Sequence, residues 1–157
     1  MRAALTLDAG LARAEAVLLG LLVLAMTGVT LAQVIARYVF GAPLIWSEEA
    51  ARYLFVWVSM IGAALAVRQG SHYALTALVE RLAESVQRVA RALVFVVAFG
   101  FIVILLVTGV NETMQAHLQD AATLPFRMSL PYAAMPVGAA LMLLHLVLRT
   151  ILPEQES

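Results

Sequence analysis

The sequence predicts an all-α integral membrane protein with four transmembrane helices and an amphipathic interfacial helix between the second and the third. The chain has 157 residues, of which 63% are hydrophobic and 13% are charged, and its mean hydropathy is +0.94. Soluble domains contain roughly 45–50% apolar and about 25% charged residues. A soluble fold of this size still exposes roughly 30% of the surface of its unfolded chain. The surplus apolar surface must therefore face lipid.

Three of the four predicted spans are long apolar runs without charge. A membrane-crossing helix needs roughly 20 mostly apolar residues, and Val17–Ala36, Ala92–Val110 and Leu130–Leu148 meet this requirement. The first run is longer than the apolar core of a signal peptide and is followed by Arg37. We therefore expect it to be retained as a span rather than cleaved.

The second span begins with charged residues. Ile45–Val67 is long enough to cross the membrane only if the charges lie in its first turns. Ser47 is the predicted N-cap, whose hydroxyl would accept a hydrogen bond from a free backbone N–H group. Glu48 and Glu49 then lie where the helix dipole favours negative charge. Arg52 can pair with both acids at i+4 and i+3 spacing, which predicts a locally neutralised cluster.

The connection Ser71–Arg91 between the second and third spans is amphipathic. Its apolar residues recur at steps of three and four on one helical face, and its charged residues fall mainly elsewhere. A helix with such faces suits the membrane interface, where we predict that it lies flat. The alternative is a cytoplasmic extension of the third span. The apolar positions are Leu75, Val79, Leu82, Val86, Val89 and Leu93.

The arginines predict the orientation of the chain. The N-terminal tail holds two, the connection between the second and third spans holds four and the C-terminal end holds one. Cytoplasmic segments are enriched in basic residues, so these segments and both termini are predicted to be cytoplasmic. The predicted segments are cytoplasmic tails at 1–13 and 150–157, spans at 14–36, 47–67, 92–112 and 130–149, periplasmic loops at 37–46 and 113–129, and the cytoplasmic amphipathic helix at 68–91.

Composition and motifs exclude several classes of function. The formal net charge is zero, which argues against a nucleic-acid-binding protein. The chain has no Cys, so disulfides, thiolate metal sites and Cys nucleophiles are excluded. The sequence contains no phosphate-binding loop, nucleophile elbow or dinucleotide-binding fingerprint. We therefore predict no enzymatic activity, no catalytic or substrate-binding residue, no metal and no cofactor.

Two other classes of membrane protein remain open at this point. A haem- or quinone-binding anchor of an electron-transfer complex needs facing histidines, and His72 and His145 are the candidates. A small four-helix proton-coupled exporter needs an acid embedded in the membrane. Glu48 and Glu49 are its candidates, but they lie near the surface. The central stretches of the first, third and fourth spans contain no ionisable residue, which favours a scaffold over a transport site.

Small residues and prolines predict where the helices pack and bend. Gly62, Gly100 and Gly138 would let helix backbones approach closely. Pro136 lies inside the fourth span and should kink it, because proline lacks the N–H group and its ring collides with the preceding turn.

Two stretches of the sequence resemble the small membrane subunit of tripartite ATP-independent periplasmic (TRAP) transporters, the DctQ-like family. They are Trp46–Trp57, which is followed by Arg68 and His72, and Ser129–Gly138. The resemblance covers essentially the whole chain. The family often has an acidic residue four positions after the histidine, where this chain has Thr76.

The resemblance implies a division of labour in the bacterial inner membrane. A periplasmic binding protein captures an organic acid, such as a dicarboxylate or sialic acid, and a large membrane subunit holds the substrate and sodium sites. The small subunit, surrounded by membrane lipids, scaffolds the large one and helps to dock the binding protein. The residues then expected to contact partners or to stabilise the structure are Trp46, Glu48, Glu49, Arg52, Trp57, Arg68 and His72.

Overall fold

The computed structural model describes residues 2–69 and 84–151, which form five helices. Within these ranges there is no β-strand, only an isolated bridge between Asp120 and Arg127. The predicted all-α fold is therefore confirmed. The helices are α1 (Arg2–Tyr38), α2 (Ser47–Gln69), α3 (Glu84–Ala116), α4 (Ser129–Tyr132) and α5 (Ala134–Ile151).

The four predicted spans are also confirmed, by length and composition. The apolar spans lie at Asp8–Tyr38, Ser47–Gln69, Val86–Ala116 and Ser129–Leu148, the last of which combines α4 and α5. Helix α1 has 37 residues and α3 has 33, so they are about 55 Å and 50 Å long at 1.5 Å per residue. The hydrocarbon layer is only about 30 Å thick. Both helices therefore extend beyond it.

Two predicted segment boundaries bear on the described helices. Helix α1 begins at Arg2, within the predicted cytoplasmic tail, and runs without interruption through the predicted span. Most of the predicted interfacial helix, together with His72, lies outside the described residues. The chain is described again from Glu84, where residues 84–91 form the first turns of α3. An amphipathic helix over residues 71–83 stays a prediction.

The main helix contacts place α2 and α5 in the middle of the bundle. Helix α2 packs on α1 and on α5, and α5 also packs on α3. We call the end that holds residues 39–46 and 117–128 the loop end. The opposite end, where α1 begins and α5 ends, is the termini end. Small and apolar side chains such as Ala64, Ile102, Ala139 and Met142 fill the middle of the bundle. The polar contacts described below lie toward its two ends.

Close contacts at glycine bring α5 against its neighbours. A Cβ atom at Gly138 would lie 2.7 Å from the Cβ atom of Met60 on α2, and one at Gly109 on α3 would lie 3.0 Å from the backbone N of Pro136. Gly62 faces Leu19 of α1 at 4.0 Å. Gly100 has no such neighbour within 4 Å, so the close contact predicted at Gly100 is not formed. Hydropathy alone does not say which face of α3 meets α5.

The fourth span is interrupted just before Pro136, where the sequence predicts a kink. Pro136 cannot donate to the carbonyl group of Tyr132, and α4 accordingly ends at Tyr132 while α5 begins at Ala134. The linking residue Ala133 keeps helical dihedral angles, with φ −59° and ψ −19°. The interruption thus coincides with a missing helical hydrogen bond, and the kink itself stays a prediction.

Candidate functional site

Ionisable side chains of the described residues gather in two clusters, one toward each end of the bundle. The loop-end cluster comprises Glu48, Glu49, Arg52 and Tyr53, all in the first turns of α2. The second cluster, which we call the quartet, comprises Asp8 and Glu15 from α1, Arg68 from α2 and His145 from α5, of which Glu15 and His145 are buried.

Helix α2 starts differently from the predicted capping arrangement. Ser47 is fully buried, and its hydroxyl donates to the carbonyl oxygen of Leu44 at 2.6 Å instead of accepting from a helical N–H group. The Ser47 backbone N–H donates to the same carbonyl at 3.2 Å. The first helical bond of this turn runs from the Ala50 N–H to the carbonyl of Trp46 at 3.0 Å. In the tight turn that precedes α2, the Ser47 hydroxyl thus satisfies the carbonyl group of Leu44.

Glu49 binds the loop that connects α3 to α4. Its Oε1 atom accepts from the backbone N–H of Ala122 at 2.9 Å and from the hydroxyl of Tyr53. Its Oε2 atom accepts from the backbone N–H of Thr123 at 2.7 Å and from the hydroxyl of the same threonine. Hydrogen bonds to an ionised carboxylate are roughly twice as strong as neutral ones. One side chain of α2 therefore fixes the position of this loop.

The loop itself folds back as a short hairpin. The N–H of Ala121 donates to the carbonyl of Phe126 at 2.9 Å, and the N–H of Met128 donates to the carbonyl of Gln119 at 2.9 Å. The ring of Phe126 then packs on Tyr53, with centroids 6.0 Å apart. Glu49 and Tyr53 thus hold a loop that already has its own backbone pairing, which makes the loop end a defined surface.

Glu48 contacts α1 instead of the loop. Its Oε1 atom accepts from the Gln33 amide at 3.0 Å and lies 3.7 Å from the Arg37 guanidinium. Successive helical residues point about 100° apart, so neighbouring glutamates serve different elements. The Arg37–Glu48 pair is exposed, and such pairs contribute at most about 1 kcal/mol.

The predicted pairing of Arg52 with the two glutamates is wrong in the described part of the chain. No carboxylate there lies within 4.0 Å of the Arg52 guanidinium. Glu49 has four other hydrogen-bond donors, and Glu48 has partners on α1. Helical spacing permitted the pairing, but tertiary contacts supplied better donors. Arg52 instead lines a groove between α2 and the α4–α5 segment.

We predict that Glu49→Gln loosens the loop from α2. The substitution removes the charge that makes the two backbone hydrogen bonds roughly twice as strong as neutral ones. Amide hydrogen exchange at Ala122 and Thr123 should therefore accelerate about tenfold or more. Glu48→Gln is the matched control and should leave these two amides unchanged. Equal protection in the two variants would contradict the assigned role of Glu49.

The quartet joins three helices at the termini end. Arg68 donates to Asp8 Oδ2 through Nε at 3.0 Å and through Nη2 at 2.7 Å. The ring of His145 lies between the two acids of α1, with Nδ1 3.3 Å from Asp8 Oδ1 and Nε2 3.0 Å from Glu15 Oε2. Asp8 and Glu15 are seven residues apart, or two helical turns, and so lie on one face. The quartet therefore fixes α1 against both α2 and α5.

Burial makes the quartet energetically significant. His145 is 0% exposed and Glu15 is 4% exposed. An isolated buried charge is costly, so such groups need partners. Ionised carboxylates only accept hydrogen bonds, and the His145 ring can donate to both only as the imidazolium. In that state two cations balance two anions, and the cluster is neutral as a whole.

Of the quartet, only Arg68 was singled out from the sequence. Asp8 lies in the predicted tail at 1–13 and Glu15 at the start of the predicted span at 14–36, whereas α1 is helical through both. The signal was present, since the two acids lie seven residues apart and His145 is the one acidic or basic residue within Leu130–Leu148. Glu15 is also an acid within an apolar span, whereas Glu48 and Glu49 were the acids considered from the sequence. Its carboxylate is held by His145.

The two histidines in the described part of the chain have their ring nitrogens engaged, which argues against either as a haem ligand. In His145 both nitrogens face carboxylates. In His117, Nε2 lies 2.6 Å from Nη1 of Arg127, and Nδ1 lies 3.2 Å from the Ser129 hydroxyl. The guanidinium can only donate, so His117 Nε2 accepts and its Nδ1–H donates.

The two tryptophans flank the loop end. Trp46 is 41% exposed just before α2, and Trp57 lines an apolar groove of about 450 Å³ beside α1. The groove contains no charged side chain and thus lacks the cation that would hold a carboxylate substrate. It is lined by Leu18, Leu22, Ala50, Tyr53, Leu54, Trp57, Leu124, Phe126, Leu130 and Pro131.

Four apolar helices around a packed middle define a multi-pass helical membrane protein. Its described ionisable clusters serve helix and loop contacts. The family model of the tripartite ATP-independent periplasmic transporters, DctQ component, matches residues 26–155. The chain therefore belongs to this family of TRAP transporter small permease subunits, which are multi-pass proteins of the inner membrane.

Several individual relatives agree with the family assignment. The chain is 33% identical over 128 residues to the sialic acid TRAP transporter permease protein SiaT of Haemophilus influenzae, covering 82% of this chain and 21% of the relative. It is 33% identical over 110 residues to the C4-dicarboxylate TRAP transporter small permease protein DctQ of Rhodobacter capsulatus, covering 65% and 46%. It is 27% identical over 124 residues to the sialic acid TRAP transporter small permease protein SiaQ of Vibrio cholerae, covering 77% and 70%. The chain thus spans less than half the length of the first two relatives.

Proposed function

We propose that this chain is the small permease subunit of a sodium-driven, binding-protein-dependent transporter that imports an organic acid. It scaffolds a large membrane subunit, which holds the substrate and sodium sites, and it helps to dock a periplasmic binding protein. The family assignment supports this role. The substrate class is supported by relatives that are named for sialic acid and for C4-dicarboxylates, both of which are carboxylic acids.

The packed apolar middle of the bundle carries the scaffold role. A solute that crosses a membrane needs a path lined by polar groups or water. Between the two polar clusters, the described helices instead meet through Ile61, Ala64, Ile102 and Ala139, each at most 3% exposed. Their outward faces carry large exposed apolar side chains, which lipid or a partner helix must cover. The chain is therefore suited to packing beside a transport subunit.

The proposed orientation places the loop end in the periplasm and both termini in the cytoplasm. The distribution of arginines supports it, since positive charge favours the cytoplasmic side. In this orientation Glu48, Glu49 and the loop that Glu49 holds face the binding protein. A loop that is fixed by several hydrogen bonds loses little conformational entropy on docking.

Co-purification with the large subunit tests the proposal. We expect this chain, when tagged and co-expressed with the large membrane subunit, to be extracted as one complex that elutes in a single peak. Uptake of the organic acid by cells should then require both membrane subunits, the binding protein and a sodium gradient. The proposal fails if the chain elutes alone, or if uptake is the same without it.

A further inference from the structure

A second groove at the loop end differs from the apolar one by containing a cation. It has a volume of about 420 Å³ and lies where α2 faces the α4–α5 segment. Arg52 is an exposed residue of this groove, five residues into α2, which places it about 7–8 Å below the start of the helix. The lining residues are Arg52, Tyr53, Val56, Met128, Pro131, Tyr132 and Met135.

The charge of Arg52 is not balanced within the described part of the chain. Both nearby acids are committed elsewhere, Glu49 to the loop and Glu48 to α1. A cation inside a membrane-spanning segment is costly unless an anion or water accompanies it. The groove therefore presents a positive charge without an anionic partner among the described residues, and an acid of another subunit would balance it.

The walls of the groove are held in place before any partner arrives. The hydroxyl of Tyr53 contacts both Glu49 and the sulfur of Met128, the latter at 2.9 Å. Pro131 is buried at the start of the fourth span. Binding to such a preorganised surface costs less ordering of side chains. The hydroxyl of Tyr132 lines the same groove and can donate to an oxygen that Arg52 also binds.

The composition of the groove favours a protein partner over a lipid headgroup. Cores of protein–protein interfaces are enriched in arginine, tyrosine and methionine and depleted of lysine and acids. One arginine, two tyrosines and two methionines make up most of this lining. Methionine adapts its shape to a neighbouring side chain, and the planar guanidinium binds a carboxylate through two parallel hydrogen bonds. A guanidinium binds a lipid phosphate in the same way, so the tyrosines and methionines are what favour a protein side chain.

We infer that the Arg52 groove receives an acidic side chain of the large membrane subunit, so that Arg52 is an anchor of the assembled transporter. This inference rests on the proposed function and adds the chemistry of the contact. The carboxylate pairs with the guanidinium, Tyr132 donates to its second oxygen, and the aliphatic part of the acid packs on Met135 and Val56.

The test measures how much large subunit co-purifies with tagged small-subunit variants from detergent extracts. Arg52→Gln should weaken retention about tenfold or more, because removal of one partner of an interfacial charge pair leaves the other charge buried and unpaired. Arg52→Lys keeps the charge but not the planar fork and should give an intermediate loss. Arg13→Gln, an exposed arginine at the opposite end, is the matched control and should retain the large subunit fully.

The outcomes separate this inference from the proposed function. If the wild-type chain does not retain the large subunit, the proposed function fails. If the wild type retains it and both Arg52 variants do so equally well, only the inference is overturned. It is also overturned if Arg52→Gln leaves the complex intact but lowers the phospholipid phosphate that co-purifies, since the groove would then bind a lipid headgroup.

A photo-crosslinker at Met135 tests the same contact without altering Arg52. With p-benzoylphenylalanine at this position, irradiation of the assembled transporter should link the small subunit to the large one at an acidic segment. If the Arg52→Gln variant unfolds at the same temperature as the wild type, the loss of co-purified large subunit is not caused by misfolding of the variant. Cross-links to lipid alone would overturn the inference.

Discussion

Replacing His145 by alanine is expected to lower the free energy of unfolding of the full-length chain by about 3–5 kcal/mol, the cost of breaking a buried ion pair by removing one partner. The variant leaves Glu15, which is 4% exposed, without the imidazole ring that it contacts at 3.0 Å. Asp8 keeps Arg68. Thermal and denaturant unfolding in detergent micelles would measure the loss.

Two further variants separate the charge effect from a packing effect. In Glu15→Gln/His145→Gln both buried charges are absent, so most of the lost stability should return. Arg37→Gln breaks the exposed pair with Glu48 and should cost less than about 1 kcal/mol. A His145→Ala protein as stable as Arg37→Gln would contradict the role of the quartet.

The position of α1 can be followed with thiols, because the chain has no Cys. A thiol at Ala12, which is 8% exposed on the buried face of α1, should react slowly in the wild-type background and faster with His145→Ala. A thiol at Ala14, on the exposed side of the same helix, is the control for intrinsic reactivity. The ratio of the two rates reports whether the quartet holds α1 against the bundle.

The second large effect is expected at Gly138. The added methyl group of Gly138→Ala would lie 2.7 Å from Met60 Cβ and 3.2 Å from the Met60 carbonyl oxygen. Neither the backbone oxygen nor Cβ can move without shifting α2, so the α2–α5 contact must open. Overpacking of this kind costs roughly 1–3 kcal/mol.

Gly100→Ala is the matched control, since it makes the same change in the middle of α3. A Cβ atom at Gly100 has no such neighbour within 4 Å. Alanine is favoured over glycine in a helix by roughly 0.5–1 kcal/mol, so this variant should be slightly more stable. Melting temperatures in the same detergent compare the two. A destabilised Gly100→Ala and an unaffected Gly138→Ala would contradict the helix packing.

The spans could be predicted from sequence because lipid imposes a simple rule on composition and length. Runs such as Ala92–Val110 needed no tertiary information, and the family resemblance rested on motifs within the spans. The partners of polar residues could not be predicted in this way. Glu49 accepts hydrogen bonds from a loop more than seventy residues away in the chain, whereas helical spacing predicted only Arg52 as its partner.

The quartet shows the same limit at the other end. Arg68 was singled out by its motif, but its contact with Asp8 depends on how α1 lies against α2. The position of α1 relative to α2 depends on how the helices pack, which cannot be predicted from hydropathy. An acid next to an apolar run ordinarily lies outside the membrane-spanning part of a helix. Here α1 extends beyond the apolar run, and Glu15 therefore lies in the helix where it contacts His145.

The most direct test of the central claim is solute uptake by proteoliposomes that contain this chain alone, the large subunit alone, or both, with the binding protein and a sodium gradient. Each reconstitution should contain the same amount of folded protein. We predict sodium-dependent accumulation of the organic acid only when both membrane subunits are present. Accumulation of the acid, or proton flux, in liposomes that hold this chain alone would contradict the account.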